Sequence, residues 1–207
     1  MLKENTVKIF EQSFKNNWNN PCLTDYNTKN TLLYSDFARN IARIHLFYKE
    51  IGIAEGDHVA LIGKNNPTWV TVFIATITYG AVIVPILQDF NPNDAQHIVN
   101  HSEAKLLFAS KSNWENLDFN NMRNVRAALS IDEPGLYEQK EGEVVADALA
   151  ALDEKFAAAY PNGFTVDDVK YPEVPGDRLM DINYTSGTTG FSKGVMITGN
   201  NICGNIV

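Results

Sequence analysis

The chain has 207 residues, a formal net charge of −8 at pH 7 and a pI near 5.0, with 44% hydrophobic and 20% charged residues. This globular composition excludes wholesale disorder, and the acidic balance argues against nucleic acid as a partner. Two cysteines are too few for a disulfide framework or a zinc site, and the N-terminus lacks a signal-peptide pattern, so a reducing, cytoplasmic setting is expected.

Helix and strand signals alternate along the chain. The first half of the chain predicts a helix from Ser35 as N-cap to Gly52 as stop, a strand at 58–62, a helix at 67–79 and a strand at 81–86. A helix that begins at Asn91-Pro92 follows, and then strands at 104–109 and 125–131. The last predicted elements are a helix at 146–160 and an exposed acidic connection at 161–177. Such alternation predicts right-handed βαβ units, and near-continuous apolar strands predict a parallel sheet covered on both faces. The predicted fold class is layered α/β with a mostly parallel sheet.

The uncharged run from Trp69 to Leu87 is long enough to cross a bilayer, which offers an alternative to a globular domain. Three threonines dilute its hydrophobicity, Gly80 breaks it, and Pro85 would interrupt a spanning helix. We therefore favour a buried helix followed by a strand.

Residues 184–195 form the segment with the strongest chemical signal, and they read Tyr-Thr-Ser-Gly-Thr-Thr-Gly-Phe-Ser-Lys-Gly-Val. Glycines let backbone N–H groups approach a ligand, hydroxyls donate to phosphate oxygens, and a lysine supplies positive charge. Apolar flanks predict a strand–loop–strand hairpin. The candidate polyphosphate-binding residues are Thr185, Ser186, Gly187, Thr188, Thr189, Gly190 and Lys193.

Composition alone leaves a second interpretation open, in which this segment is a flexible Ser/Thr/Gly linker. The segment is not a Walker A loop, because Lys193 is preceded by Ser192 and followed by Gly194.

The segment closely resembles the signature loop of the acyl-adenylate-forming (AMP-binding) enzymes, whose pattern is Tyr-Thr-Ser-Gly-Thr-Thr-Gly-x-Pro-Lys-Gly-Val. Upstream stretches are similar to the family as well, and His101-Ser102-Glu103-Ala104-Lys105-Leu106 is similar to a segment of long-chain acyl-CoA synthetases. The resemblance covers nearly the whole chain and is weakest over 111–176. It implies the N-terminal part of that fold, with an α/β subdomain at 1–176 and, at 177–207, the phosphate-loop hairpin and the start of the next, truncated subdomain.

The resemblance implies a two-step ligase. ATP and a carboxylic acid form an acyl-adenylate and pyrophosphate, with Mg²⁺, and the acyl group then passes to the thiol of coenzyme A. The family loop that corresponds to Thr185–Lys193 holds the β- and γ-phosphates. A long-chain fatty acid is the preferred substrate under this resemblance, while the acid class, peripheral contact with a membrane and the oligomeric state stay open.

Two departures from the family pattern limit what is carried over. Ser192 replaces the proline, which we expect to loosen the loop, and Gly199-Asn200-Asn201 follows Thr198 where the family has a histidine near the substrate. The family's catalytic lysine, magnesium-binding glutamate and ribose-binding aspartate have no counterpart in these 207 residues. We therefore expect an N-terminal fragment that is inactive alone, and its catalytic residues are unknown.

Two further function classes stay open, a non-catalytic ATP-binding remnant and an interaction module that needs a separate remainder. His97 and His101 are four residues apart on a predicted helix, so they could face one metal ion. No third ligand is evident, and we interpret them as surface histidines, with no metal site predicted.

Overall fold

The computed structural model describes residues 5–185 and 193–206. Helices in that part of the chain are α1 (Thr6–Asn16), α2 (Tyr34–Glu50), α3 (Pro67–Tyr79), α4 (Pro92–His101), α5 (Lys111–Trp114), α6 (Val145–Ala150), α7 (Leu152–Ala159) and α8 (Gly199–Ile206). Strands are β1 (Pro21–Thr24), β2 (Thr31–Leu33), β3 (His58–Ile62), β4 (Val82–Ile86), β5 (Leu106–Ala109), β6 (Ala127–Ser130), β7 (Leu136–Gln139), β8 (Leu179–Thr185) and β9 (Lys193–Thr198).

Seven strands form the central sheet in the order β7-β6-β5-β3-β4-β8-β9. The five inner strands are parallel to one another, whereas β7 and β9 run antiparallel at the two edges. The strands β1 and β2 form a separate antiparallel pair. The predicted α/β class with a mostly parallel sheet is confirmed.

Helices cover both faces of the sheet, which explains why the inner strands are apolar along their whole length. In β3, Val59 and Leu61 join the cluster that includes side chains of α1, α2 and α3. Ala60 and Ile62 point to the other face, where side chains of α4 pack. The core therefore consists of two apolar layers separated by the sheet.

Helix α3 is uncharged and mostly buried, yet three of its threonine hydroxyls form hydrogen bonds within the helix. Thr71, Thr76 and Thr78 donate from their hydroxyls to carbonyl oxygens four residues earlier, at 2.7, 2.8 and 2.6 Å. Asn66 caps its start, and Gly80, with φ +95°, ends it before β4. The predicted helix followed by a strand is confirmed, and within the described ranges no helix combines the length and apolarity that crossing a bilayer requires.

Three predictions need correction. Helix α2 begins at Tyr34, one residue before the predicted N-cap Ser35, because the Asp36 carboxylate accepts the N–H of Leu33 at 3.1 Å and so satisfies the helix start. The predicted helix at 146–160 is two helices that meet at Ala151, whose ψ of −3° breaks the regular turn.

The connection at 161–177 is also less exposed than its charges predicted. Phe164, Val169, Tyr171 and Val174 are buried in the main apolar cluster, while the acidic residues between them face solvent. Glu11 of α1 accepts the N–H of Tyr171 at 3.0 Å, which ties the segment to α1. The short spacing of apolar residues, rather than the charge content, determines how this segment packs.

Candidate functional site

The parallel strands end together at one edge of the sheet, which we call the carboxyl edge. The strand β3 pairs with β4 on one side and with β5 on the other, so the chain changes direction across the sheet at this point. In open α/β sheets, ligands bind outside the carboxyl ends of the strands near such a reversal. A ligand site is therefore expected at the carboxyl edge.

The strands β8 and β9 pair antiparallel and bring two predicted site residues together at this edge. Thr185 ends β8, and its partner in the register is Lys193, the first residue of β9. Both residues are exposed, and no carboxylate within the described ranges forms an ion pair with Lys193. A hydroxyl and an ammonium group thus stand side by side, which suits an anionic ligand.

Five other predicted contacts lie outside the described residues: Ser186, Gly187, Thr188, Thr189 and Gly190. The flanking β8 and β9 confirm the predicted pair of strands on either side of this segment.

Tyr184 anchors the hairpin next to Thr185. Its side chain is buried, and its hydroxyl shares a hydrogen bond of 2.7 Å with Nδ1 of His101 at the end of α4. A Cβ atom on Gly194, the partner of Tyr184 in the register, would lie 2.8 Å from Ile182 and 3.1 Å from the Tyr184 ring. Glycine at 194 therefore permits the close approach of β9 to the tyrosine ring.

The same hydrogen bond changes the interpretation of His101. Its ring lies 5.6 Å from that of His97, yet its Nδ1 is used by the hairpin tyrosine. Over 5–185 and 193–206, no three or more His, Cys, Asp or Glu side chains are grouped closely enough to hold a metal ion. His101 is thus a surface residue with a positioning contact, which the sequence pattern alone did not indicate.

Pro85 limits the pairing between β4 and β8. The N–H of Val82 donates to the backbone carbonyl oxygen of Asp57, on the β3 side of β4. Because successive residues of a parallel strand alternate between its two neighbours, the backbone groups of Ile83 and Pro85 face β8. Proline has no N–H to donate. Register pairing between these two strands is accordingly confined to Ile83 and Asp181, although the strands remain neighbours in the sheet.

A cleft of about 740 Å³ is lined by residues of β4 and β8 and by the residues that follow β4. Its walls include Pro85, Asp181, Asn183 and a stacked pair of rings, Trp69 and Phe73, whose centroids are 5.4 Å apart. The indole N–H of Trp69 is buried and has no hydrogen-bond partner among the described residues. The cleft combines an aromatic wall with polar side chains of β8.

Asp181 is the charged residue buried in this cleft, with 4% of its surface exposed. Asn183 donates to its Oδ2 at 2.8 Å, whereas Oδ1 has no partner among the described residues. Burial raises the pKa of Asp181 from 3.8 to about 6. Asp181 was not among the predicted site residues, although a single acidic residue within an apolar strand was a usable signal.

The chemistry of the described residues fits part of the predicted ligand set. A hydroxyl and an unpaired ammonium at the base of the hairpin match the phosphates of ATP. Within the described ranges, no cluster of three or more His, Cys, Asp or Glu side chains could hold Mg²⁺ by itself.

Comparisons with known proteins agree with this architecture. The chain is 26% identical over 191 residues to luciferin 4-monooxygenase of Photuris pensylvanica, covering 87% of this chain and 32% of that enzyme. It is 28% identical over 167 residues to the fatty acid–[acyl-carrier-protein] ligase ScoC of Streptomyces coeruleorubidus, covering 81% of this chain and 28% of that ligase. The chain therefore spans about a third of the length of these relatives.

Among solved structures, the anthranilate CoA ligase AuaEII in complex with anthranoyl-AMP matches with a TM-score of 0.73 and 19% identity. The match covers 96% of this chain and 35% of that ligase, and at this identity it shows the fold alone. The sequence model of the AMP-binding enzyme matches residues 10–207, which is nearly the whole chain. The chain therefore belongs to the AMP-binding enzyme family.

Proposed function

We propose that this chain is the phosphate-binding part of an ATP-dependent carboxylate–CoA ligase. The observation that carries the proposal is the pairing of Thr185 with Lys193 at the carboxyl edge of a parallel sheet. Hydroxyl and ammonium groups at this position would hold the β- and γ-phosphates of ATP, together with Ser186, Gly187, Thr188, Thr189 and Gly190. Membership of the AMP-binding family supports the same reaction class.

The proposed reaction has two steps. A carboxylate oxygen of the acid attacks the α-phosphorus of ATP, and the bond to the β-phosphate oxygen breaks, so pyrophosphate leaves with the electron pair. The sulfur of coenzyme A then attacks the acyl carbon, AMP leaves, and the thiol proton is released. Lys193 would stabilise the charge that builds on pyrophosphate in the first step, since preorganised cations act where charge develops.

A long-chain fatty acid is the acid that we propose. The support is the segment His101–Leu106, which resembles long-chain acyl-CoA synthetases, and the similarity to a fatty acid–[acyl-carrier-protein] ligase. Mg²⁺ as a companion of ATP, a cytoplasmic location and the division into 1–176 and 177–207 are parts of the same proposal.

ATP binding by the purified chain tests the phosphate site directly. Replacing Lys193→Gln removes the ammonium group and should weaken ATP binding about tenfold or more, because charge-assisted contacts to phosphate are lost. Lys111→Gln is the matched control, since it removes the same charge from an exposed side chain that follows β5, and three strands lie between β5 and β9. Equal ATP affinity in all three proteins, measured by calorimetry, would contradict the proposed role of Lys193.

Exchange of labelled pyrophosphate into ATP tests the chemistry. The assay is run with a series of fatty acids and with aromatic acids as controls, on the chain alone and on the longest natural product of its gene. Exchange that depends on a long-chain acid supports the proposal. ATP binding without exchange in either protein would favour the non-catalytic remnant.

A further inference from the structure

The end of α4 and the hairpin of β8 and β9 are joined by a contact between two side chains. The hydroxyl of Tyr184 and Nδ1 of His101 share a hydrogen bond of 2.7 Å, and the two rings meet edge to face with their centroids 5.8 Å apart. Tyr184 directly precedes Thr185 in β8. The contact therefore lies one residue away from the pair to which we assign phosphate binding.

Helix α4 gives His101 a well-packed support. Ile98 and Val99 of this helix are buried in the apolar layer on its side of the sheet. On the outer side, Gln96 forms two hydrogen bonds with the backbone of Asp118, at 3.1 and 3.0 Å. The ring of His101 is thus attached to a packed helix and not to a loop, although the ring itself is exposed.

Tyr184 extends this restraint to both strands of the hairpin. Its side chain is buried in the same apolar layer as α4. Gly194 lies opposite in β9, where a Cβ atom would be 3.1 Å from the Tyr184 ring, so β9 passes close to that ring. Thr185 and Lys193 form the next pair in the register. The position of the tyrosine ring therefore restrains the backbone of both phosphate-site residues.

The side chains of Thr185 and Lys193 depend on that backbone for their placement. Both are exposed, and neither forms a side-chain hydrogen bond or an ion pair with another residue in the part of the chain that the structure describes. A binding site whose groups are already held in place loses less conformational freedom when its ligand binds. A restraint on the hairpin backbone should therefore increase affinity for phosphate.

We propose that His101 is a positioning residue for the phosphate site, and that it holds the pair of Thr185 and Lys193 in place through the hydroxyl of Tyr184. This role rests on the proposed function of that pair and extends the site to the end of α4. His101 acts through Tyr184 and does not touch the phosphates. Loss of its contact should weaken phosphate binding although every group that binds phosphate is still present.

Three variants of the contact test this role by calorimetry with ATP and with inorganic pyrophosphate. His101→Ala removes the imidazole and Tyr184→Phe removes the hydroxyl, and each should weaken binding of both ligands about fivefold, the scale of one hydrogen bond. His101→Asn should restore binding, because asparagine places an amide oxygen or nitrogen where Nδ1 stands and can accept or donate. Equal weakening in His101→Asn and His101→Ala would contradict the role of this hydrogen bond.

A double variant and a matched control distinguish positioning from a general loss of stability. The protein with both His101→Ala and Tyr184→Phe should bind ATP no more weakly than either single variant, because all three lose the same contact. Gln96→Ala, on the same helix, loses two hydrogen bonds to Asp118 but keeps the Tyr184 contact, so its ATP affinity should be unchanged. Additive losses in the double variant, or a fivefold loss in Gln96→Ala, would overturn the positioning role.

The variant Lys193→Gln separates this role from the proposed function. If Lys193→Gln weakens binding of ATP and pyrophosphate whereas His101→Ala does not, the phosphate site stands and the role of His101 is overturned. If neither variant changes binding, the phosphate site is overturned and the role of His101 with it.

Amide hydrogen exchange without any ligand provides an independent measurement. Exchange in β9 should become faster in His101→Ala and return to that of the unchanged protein in His101→Asn, with β3 unaffected in both. Unchanged exchange in β9 of His101→Ala would show that His101 does not restrain the hairpin, and would overturn the positioning role whatever the ligand.

Discussion

The inner strands of the sheet and the strand β9 belong to one sheet but are held in different ways. Strands β3 and β5 are buried along almost their entire length, with helices against both faces. Strand β9 lies at the edge, has β8 as its one partner among the described strands, and exposes four of its six residues, including Met196 at 70%. Burial thus fixes the inner strands, whereas hydrogen bonding along β8 fixes β9.

This difference places the candidate site at the less packed end of the molecule. Lys193 at the start of β9 is exposed, whereas Tyr184 next to Thr185 is buried, so the hairpin is anchored through β8 and open to solvent along β9. Binding residues are commonly found on such segments beside a rigid scaffold. Three predictions test how far the comparison holds.

The largest effect on stability should follow from truncating a buried side chain of the inner strands. Leu61→Ala, at a position with no exposed surface, should lower the free energy of unfolding by about 3 kcal/mol, because it leaves a cavity between β3 and the helices. Met196→Ala on β9 should change it by less than about 0.5 kcal/mol. Urea denaturation measures both.

Equal losses in these two variants would contradict the comparison. In that case β9 would be packed against something beyond β8, and the hairpin would need a second source of stability.

The second effect concerns Asp181 and has a defined pH dependence. Its folded-state pKa, about 6, exceeds the ordinary value of 3.8, so the folded protein binds a proton there more tightly than the unfolded chain. The resulting stability is fully present below pH 3.8 and is lost as pH rises through 6. Between pH 4 and pH 7, the free energy of unfolding of the Asp181→Asn protein should therefore rise by about 2 kcal/mol relative to that of the unchanged protein.

Denaturation curves of both proteins at several pH values measure this difference, and other titrating groups cancel in the comparison. Asn183→Ala is the control, since it removes the donor to Oδ2 but keeps the carboxyl. A pH-independent difference between the Asp181→Asn protein and the unchanged one would show that the carboxyl is ionised in the fold at little cost.

The smallest effect should come from Tyr184→Phe, which removes only the hydroxyl that bonds to His101. We expect a loss of about 1 kcal/mol. Amide hydrogen exchange should become faster in β9, with no change in β3, because the contact ties the hairpin to α4. Uniformly faster exchange in both strands would instead indicate a general loss of stability.

Much of the fold could be predicted because its residues follow simple periodic rules. The Asn-Pro starts at 66–67 and 91–92 and the apolar strands around 58–62 led to the correct elements. Sequence patterns did not predict α1, β1, β2 and β7, which are short or amphipathic and gain stability from tertiary contacts. The start of α2 was placed at Ser35 instead, because the local pattern does not show that Asp36, the third residue of the helix, accepts the N–H of Leu33.

The candidate site was predictable only in part, for a different reason. The segment at 184–195 stands out by composition, and the pairing of Thr185 with Lys193 agrees with the expected hairpin. The contacts of His101 and Asp181 join residues distant along the chain, since 83 positions separate His101 from Tyr184. No periodic sequence pattern indicates such contacts, so the roles of His101 and Asp181 can be assigned only from the fold.

The ring of Pro85 also affects how the two parts of the sheet are joined. Five register pairs join β3 to β4 and six join β8 to β9, but one pair joins β4 to β8. Because Pro85 has no N–H to donate toward β8, the junction between β4 and β8 relies less on backbone hydrogen bonds than its neighbours do, and more on the packing of side chains.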